Sequence, residues 1–284
     1  MTILVTGAGG QLGRSLQTRT GVVGLDSARL DIRDEEQIES AFARYTPTVV
    51  INAAAYTAVD KAESEPALAV AVNRDGASLL ALACARRRVR FLHVSSDYVF
   101  DGRSLVPYRE NDEVGPLGVY GASKAEGEQR VHEAGGTVVR TSWMFGEGGP
   151  SFVHTMLRIA KERSVLRVVA DQHGRPTYAG DLADALVALA SRPAWASTYH
   201  FSNAGVTTWH AFAVDIIAEA RRLGARLSCE HIEAITSDSY PMTAKRPQYS
   251  VLDTTRIEEE QGIVPPHWEV GLRRVVADEL RARG

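Results

Sequence analysis

The 284-residue sequence has little of several features that define whole classes of protein. It contains two cysteines, Cys84 and Cys229, which lie far apart and outside any metal-binding spacing. We therefore expect free thiols in a reducing cytoplasm, and no disulfide framework. No run approaches the roughly 18 apolar residues that a membrane span needs, and residues 2–5 begin a strand without the basic and apolar regions of a signal peptide. A net charge of −3 gives no basic surface for nucleic acid or anionic membranes.

The residues that are present follow an ordinary globular pattern, with 44% hydrophobic and 24% charged side chains. In the first half, short apolar runs alternate with longer amphipathic stretches, as in a parallel sheet covered by helices. Predicted strands are 3–6, 22–25, 49–52, 90–95 and 137–141. Predicted helices between them are 11–18, 35–45, 66–87 and 121–132.

Beyond residue 143 this alternation breaks, and the last stretch is rich in loops. We predict an α/β fold in which a Rossmann-type, doubly wound parallel sheet carries a smaller, discontinuous C-terminal α/β substrate lobe. The NAD(P)-binding part would comprise residues 1–142 and about 179–203. The substrate lobe would comprise residues 143–178 and 204–284.

A glycine-rich turn, residues 6–13 (TGAGGQLG), joins the first predicted strand to the first helix. Glycines at such a turn let backbone N–H groups approach a pyrophosphate at the start of the helix. Because this pattern stands between a strand and a helix, it predicts a dinucleotide site. The residues that we expect at the phosphates are Gly7, Gly10, Gln11, Leu12 and Gly13.

The second predicted strand leads to Asp26, where an acidic side chain accepts hydrogen bonds from the adenosine ribose. This acid favours NADH, since it repels a 2′-phosphate. Arg29 lies close by and favours NADPH, because it can pair with that phosphate. The choice between the two cofactors stays open. Asp31 and Ile32 follow as candidate adenine contacts.

A tyrosine and a lysine, Tyr120 and Lys124, are one helical turn apart and share a helix face. Tyrosine ordinarily has a pKa near 10. The lysine and the positive ring of an oxidised nicotinamide stabilise phenolate, which predicts a lowered pKa. Ser96 directly follows the fourth predicted strand, at the edge where α/β sheets bind ligands. We predict that Tyr120 transfers a proton, that Ser96 orients the substrate oxygen and that Lys124 also binds the nicotinamide ribose. His93, in mid-strand, is expected to be a packed histidine.

These residues resemble the short-chain dehydrogenase/reductase superfamily in its extended branch, and finer motifs resemble the dTDP-4-dehydrorhamnose reductase family. The similarity runs from residue 3 to about residue 275. The motifs that carry it are 52–63 (NAAAYTAVDKAE), 95–102 (SSDYVFDG), 140–143 (RTSW), 171–177 (DQHGRPT) and 246–250 (RPQYS).

The resemblance implies hydride transfer from NADPH or NADH to C4 of a dTDP-4-dehydro sugar. It adds cofactor contacts at Ala55, Tyr56 and Thr57 to those above, with Tyr120 and Lys124. It implies sugar contacts at Ser96, Asp97, Tyr120 and Trp143.

Some relatives hold a metal at a dimer interface through acidic residues. Here Ser15 takes one of those positions while Asp181 and Asp278 remain, and this incomplete set does not support an interface Mg²⁺. A homodimer is the commonest assembly for such a chain.

Two other functions stay open. One is a related epimerase, or a sugar-nucleotide 4-ketoreductase of different stereochemistry, since fold and catalytic residues do not separate these. The other is a non-catalytic regulatory homologue, which need not keep the proton relay. Retention of Ser96, Tyr120 and Lys124 argues against the regulator.

Overall fold

The structure, a computed structural model, describes residues 1–240 and 242–282. Its strands over these residues are β1 (Ile3–Thr6), β2 (Val22–Leu25), β3 (Val49–Asn52), β4 (Arg90–Ser96), β5 (Thr137–Thr141), β6 (Met144–Phe145), β7 (Val165–Val169), β8 (His173–Gly174), β9 (Thr177–Tyr178), β10 (Thr198–His200), β11 (Thr207–Thr208) and β12 (His231–Ile235).

The α-helices over the same residues are α1 (Gln11–Gln17), α2 (Glu35–Tyr45), α3 (Val59–Ala62), α4 (Pro66–Val70), α5 (Ala77–Arg87), α6 (Val119–Glu133), α7 (Phe152–Glu162), α8 (Ala179–Ala190), α9 (Trp209–Arg222), α10 (Thr255–Gln261) and α11 (Trp268–Ala282). A π-helical stretch, Ala71–Gly76, joins α4 to α5 into one continuous helix.

Six parallel strands form the central sheet in the order β10-β5-β4-β3-β1-β2. After β2 at the edge, the chain crosses back and places β3 on the other side of β1, with Thr6 beside Asn52. This reversal opens a crevice at the carboxyl ends of β1 and β3. Open α/β sheets bind their ligands at such a point.

Both faces of the sheet are buried, because side chains alternate along each strand. In β1, Ile3 and Val5 pack with α1 and α8, whereas Leu4 packs with α2 and α5 on the opposite face. Each fully buried aliphatic side chain of this kind contributes about 1.5–3 kcal/mol. The two-sided core confirms the predicted Rossmann-type class.

The second lobe has its own core, formed by α7, α9 and α11 around Phe212, Leu157 and Leu272. Three two-stranded sheets border it: β12 with β7, β11 with β8, and β6 with β9. We propose the division into two lobes given above, with α10 added to the nucleotide-binding side. The reason is that Ile257 of α10 packs into the core beneath the large sheet.

The sequence predicted β1, β2, β3 and β5 with the bounds that the structure has, and β4 extends one residue further. It missed β12 and α10. The segment of β12 is largely exposed, so it lacks the apolar alternation that identifies a strand.

The sequence led us to expect no segment that is long and apolar enough to span a membrane, and this expectation was too strict. By length and composition, the helix Pro66–Arg87 is able to span a membrane. In the fold, 44% of its most apolar window is buried, and Leu80 and Cys84 pack under the central sheet. The helix therefore contributes to the core.

Candidate active site

An open cleft of about 910 Å³ runs along the carboxyl edge of the sheet, from the β1–α1 turn to the second lobe. Sixteen residues to which the sequence assigned a cofactor, catalytic or sugar-binding role line it. They are Gly7, Gly10, Gln11, Leu12, Gly13, Asp26, Asp31, Ile32, Ala55, Tyr56, Thr57, Ser96, Asp97, Tyr120, Lys124 and Trp143.

The glycine turn forms the first end of the cleft and leaves no room for side chains at two positions. A Cβ on Gly7, whose φ is +69°, would lie 2.5 Å from the Ala54 nitrogen. A Cβ on Gly13 would lie 2.3 Å from the Gly7 carbonyl oxygen. Gly10 precedes α1 without a capping side chain among the described residues. The free N–H groups of this helix start suit an anion such as a pyrophosphate, so the residues present fit a dinucleotide.

Two arginines near the predicted ribose site point in different directions. Arg29 donates to the Tyr45 hydroxyl at 2.9 Å and does not line the cleft. Arg33 does line it, and its Nε donates to a carboxylate oxygen of Asp31 at 2.9 Å. This side-chain hydrogen bond lowers the pKa of Asp31. The structure thus places Arg33 at the cleft, and not Arg29. The sequence did not single out Arg33, because a residue in a turn follows no helical or strand periodicity.

Ser96 and Asp97 lie at the end of β4. The Ser96 hydroxyl donates to Asp97 Oδ1 at 3.0 Å and accepts from the Tyr98 N–H at 3.2 Å. Asp97 is 2% exposed, and burial raises the pKa of its carboxyl to about 7. The site therefore holds a carboxyl group that exchanges a proton near neutral pH.

Tyr120 lies on α6 beside Ser96, with its ring edge-on to Tyr98 at 5.8 Å between centroids. Burial raises the pKa of the Tyr120 hydroxyl to about 12, and the hydrogen bond with Ser96 opposes this rise. This direction is opposite to the predicted lowering, which included the charge of an oxidised nicotinamide and stays a prediction for that complex. The sequence argument counted nearby charges, whereas desolvation of the phenolate is the larger effect.

The amine of Lys124 contacts β4. Its Nζ donates to the Val94 carbonyl at 2.7 Å and lies 3.1 Å from His93 Nε2. The side chain is 1% exposed, and burial lowers the pKa of its amine to about 8. His93 is the packed histidine that the sequence predicted, and it contacts Lys124.

The start of α6 is anchored by residues outside it. Glu63 Oε1 accepts the N–H of Val119 at 2.9 Å and so caps the helix. One turn later, Ser123 Oγ accepts from Asn73 Nδ2 at 3.0 Å. Asn73 in turn accepts the N–H of Tyr56 at 2.9 Å. These bonds fix the helix that carries Tyr120 against the predicted cofactor segment.

Trp143 forms the far end of the cleft. Its φ of +45° is uncommon for a bulky residue, and its ring stacks on Trp209 at 3.7 Å and 8°. Trp209 Nε1 donates to Gln172 at 3.1 Å. The sequence missed Trp209 as a site residue because the start of α9 lies far along the chain from Trp143.

A loop from the second lobe closes one side. Arg246 lines the cleft and donates to Asp60 Oδ2 at 2.7 Å. Asp60 Oδ1 also accepts the N–H of Ala244 at 3.1 Å. Asp60, in the segment 52–63, thus anchors the tail loop at the cleft.

The acids of the suspected metal interface have partners within the chain. Asp181 Oδ2 accepts from Asn203 Nδ2 at 2.8 Å, and Asp278 pairs with Arg281. Over residues 1–240 and 242–282, no group of three or more histidine, cysteine or acidic side chains is arranged to hold a metal.

Comparison with known proteins identifies the family. The model of the RmlD substrate binding domain matches residues 1–281. The chain is 44% identical to dTDP-4-dehydrorhamnose reductase of Aggregatibacter actinomycetemcomitans, over 97% of this chain and 98% of that one. The chain belongs to the dTDP-4-dehydrorhamnose reductase family. The predicted resemblance is confirmed.

Solved structures agree. A dTDP-4-dehydrorhamnose reductase from Bacillus anthracis, in complex with NADP, has a TM-score of 0.91 at 35% identity and covers 98% of this chain and 100% of its own. A UDP-glucose 4-epimerase from Thermus thermophilus has a TM-score of 0.81 at 22% identity, with 98% of each chain covered. The second likeness shows the fold alone.

Proposed function

We propose that this chain is an NAD(P)H-dependent dTDP-4-dehydrorhamnose reductase. It reduces C4 of dTDP-4-dehydro-β-L-rhamnose to give dTDP-β-L-rhamnose. The observation that carries the proposal is the meeting of Ser96, Tyr120 and Lys124 in one cleft with an uncapped glycine turn, in a member of this family.

A nicotinamide cofactor, when bound, supplies the hydride. Tyr120 gives its phenolic proton to the oxygen at C4, and its raised pKa keeps the phenol protonated at neutral pH. Ser96 donates a hydrogen bond to the same oxygen, for which its proton must turn from Asp97 toward the substrate. Lys124 binds the nicotinamide ribose.

The cofactor contacts that we propose follow the cleft from the glycine turn to α6. Backbone N–H groups of α1 bind the pyrophosphate, and Asp26 binds the adenosine ribose. Asp31 and Ile32 flank the adenine. The remaining contacts are Gly7, Gly10, Gln11, Leu12, Gly13, Ala55, Tyr56, Thr57, Tyr120 and Lys124.

Asp26 favours NADH, whereas Arg33 can pair with the 2′-phosphate of NADPH. Titration of wild type and Arg33→Ala with each cofactor separates the two influences. A selective loss of NADPH affinity in the variant assigns the phosphate to Arg33, and an equal loss of both cofactors contradicts it.

For the sugar nucleotide we propose contacts at Ser96, Asp97, Tyr120 and Trp143. Trp143 presents a ring that is fixed by Trp209, and Arg246 provides a cation for the diphosphate. We also propose that the enzyme acts in the cytoplasm, as a homodimer.

The test is loss of absorbance at 340 nm when dTDP-4-dehydro-L-rhamnose is mixed with protein and NADPH or NADH. We expect rapid oxidation by wild type and a fall of roughly 10²-fold or more in Tyr120→Phe. Tyr240→Phe, at an exposed tyrosine, is the matched control and retains activity. Folded protein that binds cofactor but oxidises none of it would contradict the substrate. An epimerase is recognised in the same assay by cofactor that stays bound and is not consumed.

A further inference from the structure

A chain of buried side chains connects β1 with Lys124. Thr6 Oγ1 donates to Asn52 Oδ1 at 2.6 Å, and Asn52 Nδ2 lies 3.0 Å from His93 Nδ1. His93 Nε2 lies 3.1 Å from Lys124 Nζ. All four side chains are 0–1% exposed. The proposed mechanism uses Lys124 but assigns no part to Asn52 or His93.

The orientation of the Asn52 amide is fixed by its neighbours. The backbone N–H of Ala54 lies 3.1 Å from Oδ1, and a peptide N–H can only donate. The amide oxygen must therefore face Ala54 and Thr6, which leaves the NH₂ group to face His93. An amide nitrogen also only donates, so Nδ1 of His93 accepts and carries no hydrogen.

This arrangement decides the tautomer of His93. Burial lowers the pKa of the His93 ring well below its ordinary value, so the ring is neutral. A neutral imidazole carries one N–H. Because Nδ1 is bare, the hydrogen is on Nε2 and points at the nitrogen of Lys124. An ammonium group has donors only, whereas a neutral amine offers a lone pair that accepts this N–H.

Among the described residues, two titratable groups interact with Lys124: His93 from β4 and Glu128 from α6. The charge of Glu128 raises the pKa of Lys124. However, Arg140 binds the Glu128 carboxylate with contacts down to 2.7 Å, which offsets that charge. Besides burial, the charge of Lys124 and then the charge of His132 lower the pKa of the His93 ring further. Because Arg140 offsets the charge of Glu128, the hydrogen bond from the His93 N–H is the contact that favours the neutral amine of Lys124 over its ammonium form.

We propose that Asn52 and His93 are positioning residues that set the charge of Lys124. Asn52 fixes His93 as the Nε2–H tautomer, and this N–H favours the neutral, accepting amine of Lys124 over its ammonium form. The importance for catalysis rests on the proposed function, whereas the tautomer and the lysine charge do not.

The first experiment is a long-range ¹H–¹⁵N NMR spectrum of the ¹⁵N-labelled wild-type protein, which distinguishes protonated from bare ring nitrogens. We expect a bare Nδ1 and a protonated Nε2 for His93 between about pH 6 and 9. The signals are assigned by their loss in His93→Gln or, independently, in His93→Asn. A protonated Nδ1, or a doubly protonated ring, overturns the proposal.

His200 provides an internal control, because its neighbours require the opposite tautomer. Its Nδ1 lies 3.1 Å from the Tyr108 carbonyl oxygen, and its Nε2 lies 3.3 Å from Arg140 Nη1. The carbonyl accepts and the guanidinium donates, so His200 must be the Nδ1–H tautomer. The same spectrum should therefore show two buried neutral histidines with opposite tautomers.

The second experiment reverses the polarity of the chain with the nearly isosteric Asn52→Asp. The new carboxylate requires a hydrogen on Nδ1 of His93, so Nε2 becomes an acceptor for an ammonium group. This favours protonated Lys124. We expect kcat/KM to decline at alkaline pH where the ammonium group of Lys124 loses its proton, and this decline should move up by about one pH unit or more in the variant. Asn52→Ser, which removes the contact without reversing it, should lower the rate with a smaller displacement of the limb.

An unchanged tautomer and an unchanged alkaline limb in Asn52→Asp overturn the proposal. The spectrum of wild type needs neither a variant that folds nor a substrate. If the keto sugar is not reduced, the proposed function fails while the tautomer still decides this inference.

Discussion

The two ends of the cleft are constructed differently. The cofactor end is made of backbone, in which the turn between β1 and α1 offers N–H groups and excludes side chains at Gly7 and Gly13. The sugar end is made of side chains from distant segments, where Trp143 stacks on Trp209 and Arg246 reaches Asp60. A backbone site depends on a short local motif, whereas a side-chain site depends on how lobes pack. Substitutions at the two ends should therefore fail in different ways.

The largest effect should come from Gly7→Ala. The substitution adds a Cβ 2.5 Å from the Ala54 nitrogen at a φ of +69°. We expect loss of measurable cofactor binding and about 3 kcal/mol or more of unfolding free energy. Calorimetric titration with NADPH and denaturant unfolding measure both.

The matched control is Gly135→Ala, which has a φ of +78° but no described atom within 4 Å of the added Cβ. It should cost about 1 kcal/mol and leave cofactor binding intact. Equal losses of stability and of cofactor binding in the two variants would show that the positive φ, and not the close approach of the Ala54 backbone, makes glycine necessary at the cofactor end.

Asp97, between the two ends, should give the next largest effect. Burial raises the pKa of its carboxyl from 3.8 to about 7 in the folded chain. The folded state thus binds the proton more tightly than the unfolded state, and this stability is lost as pH rises from about 4 to about 7. Asp97→Asn should be more stable than wild type at pH 8, by on the order of 2 kcal/mol, and closer to it at pH 4.

Urea unfolding at pH 4, 6 and 8 measures this difference, with exposed Asp238→Asn as the control. If Asp97→Asn shows the same dependence on pH as wild type, the raised pKa of Asp97 is wrong.

At the sugar end, Trp209→Leu should raise KM for the sugar nucleotide about tenfold, which corresponds to about 1.4 kcal/mol. The physical reason is that Trp143 loses the ring that holds it. Cofactor affinity should not change, because Trp209 lies at the other end of the cleft. Initial rates and cofactor titration separate the two constants, and a weakened cofactor would contradict the comparison. Trp195→Leu, which removes a ring that packs on Arg90, is the control.

The smallest effect is expected at the helix that both ends share. Glu63→Ala removes the acceptor for the Val119 N–H and should cost about 1 kcal/mol of stability. We expect kcat to fall about threefold, since the displacement of Tyr120 is small. Glu63→Gln keeps a side-chain carbonyl and should behave nearly as wild type. Equal stabilities and equal rates of the two variants would show that Glu63 does not stabilise α6 as a cap.

Local patterns explain why the first half of the molecule was predictable. The strands of the sheet are runs of buried apolar residues, and Asp34 caps α2 through a residue only three positions away, since it accepts the N–H of Gln37 at 3.1 Å. Exposed β12 and the short α10 carry no such pattern. In the site, the sequence identified Tyr120 and Lys124 from their helical spacing but missed Trp209 and Arg33, whose positions depend on how the chain folds back.

The sequence by itself determined the sheet, the glycine turn and the family, because periodicity and short motifs depend on neighbours along the chain. Only the tertiary structure decided the protonation of the site. Burial raises the pKa of Tyr120 and lowers the pKa of Lys124, and the hydrogen bonds around Asn52 determine which nitrogen of His93 carries the proton. Desolvation and hydrogen-bond direction depend on groups that the fold brings together from separate strands and helices.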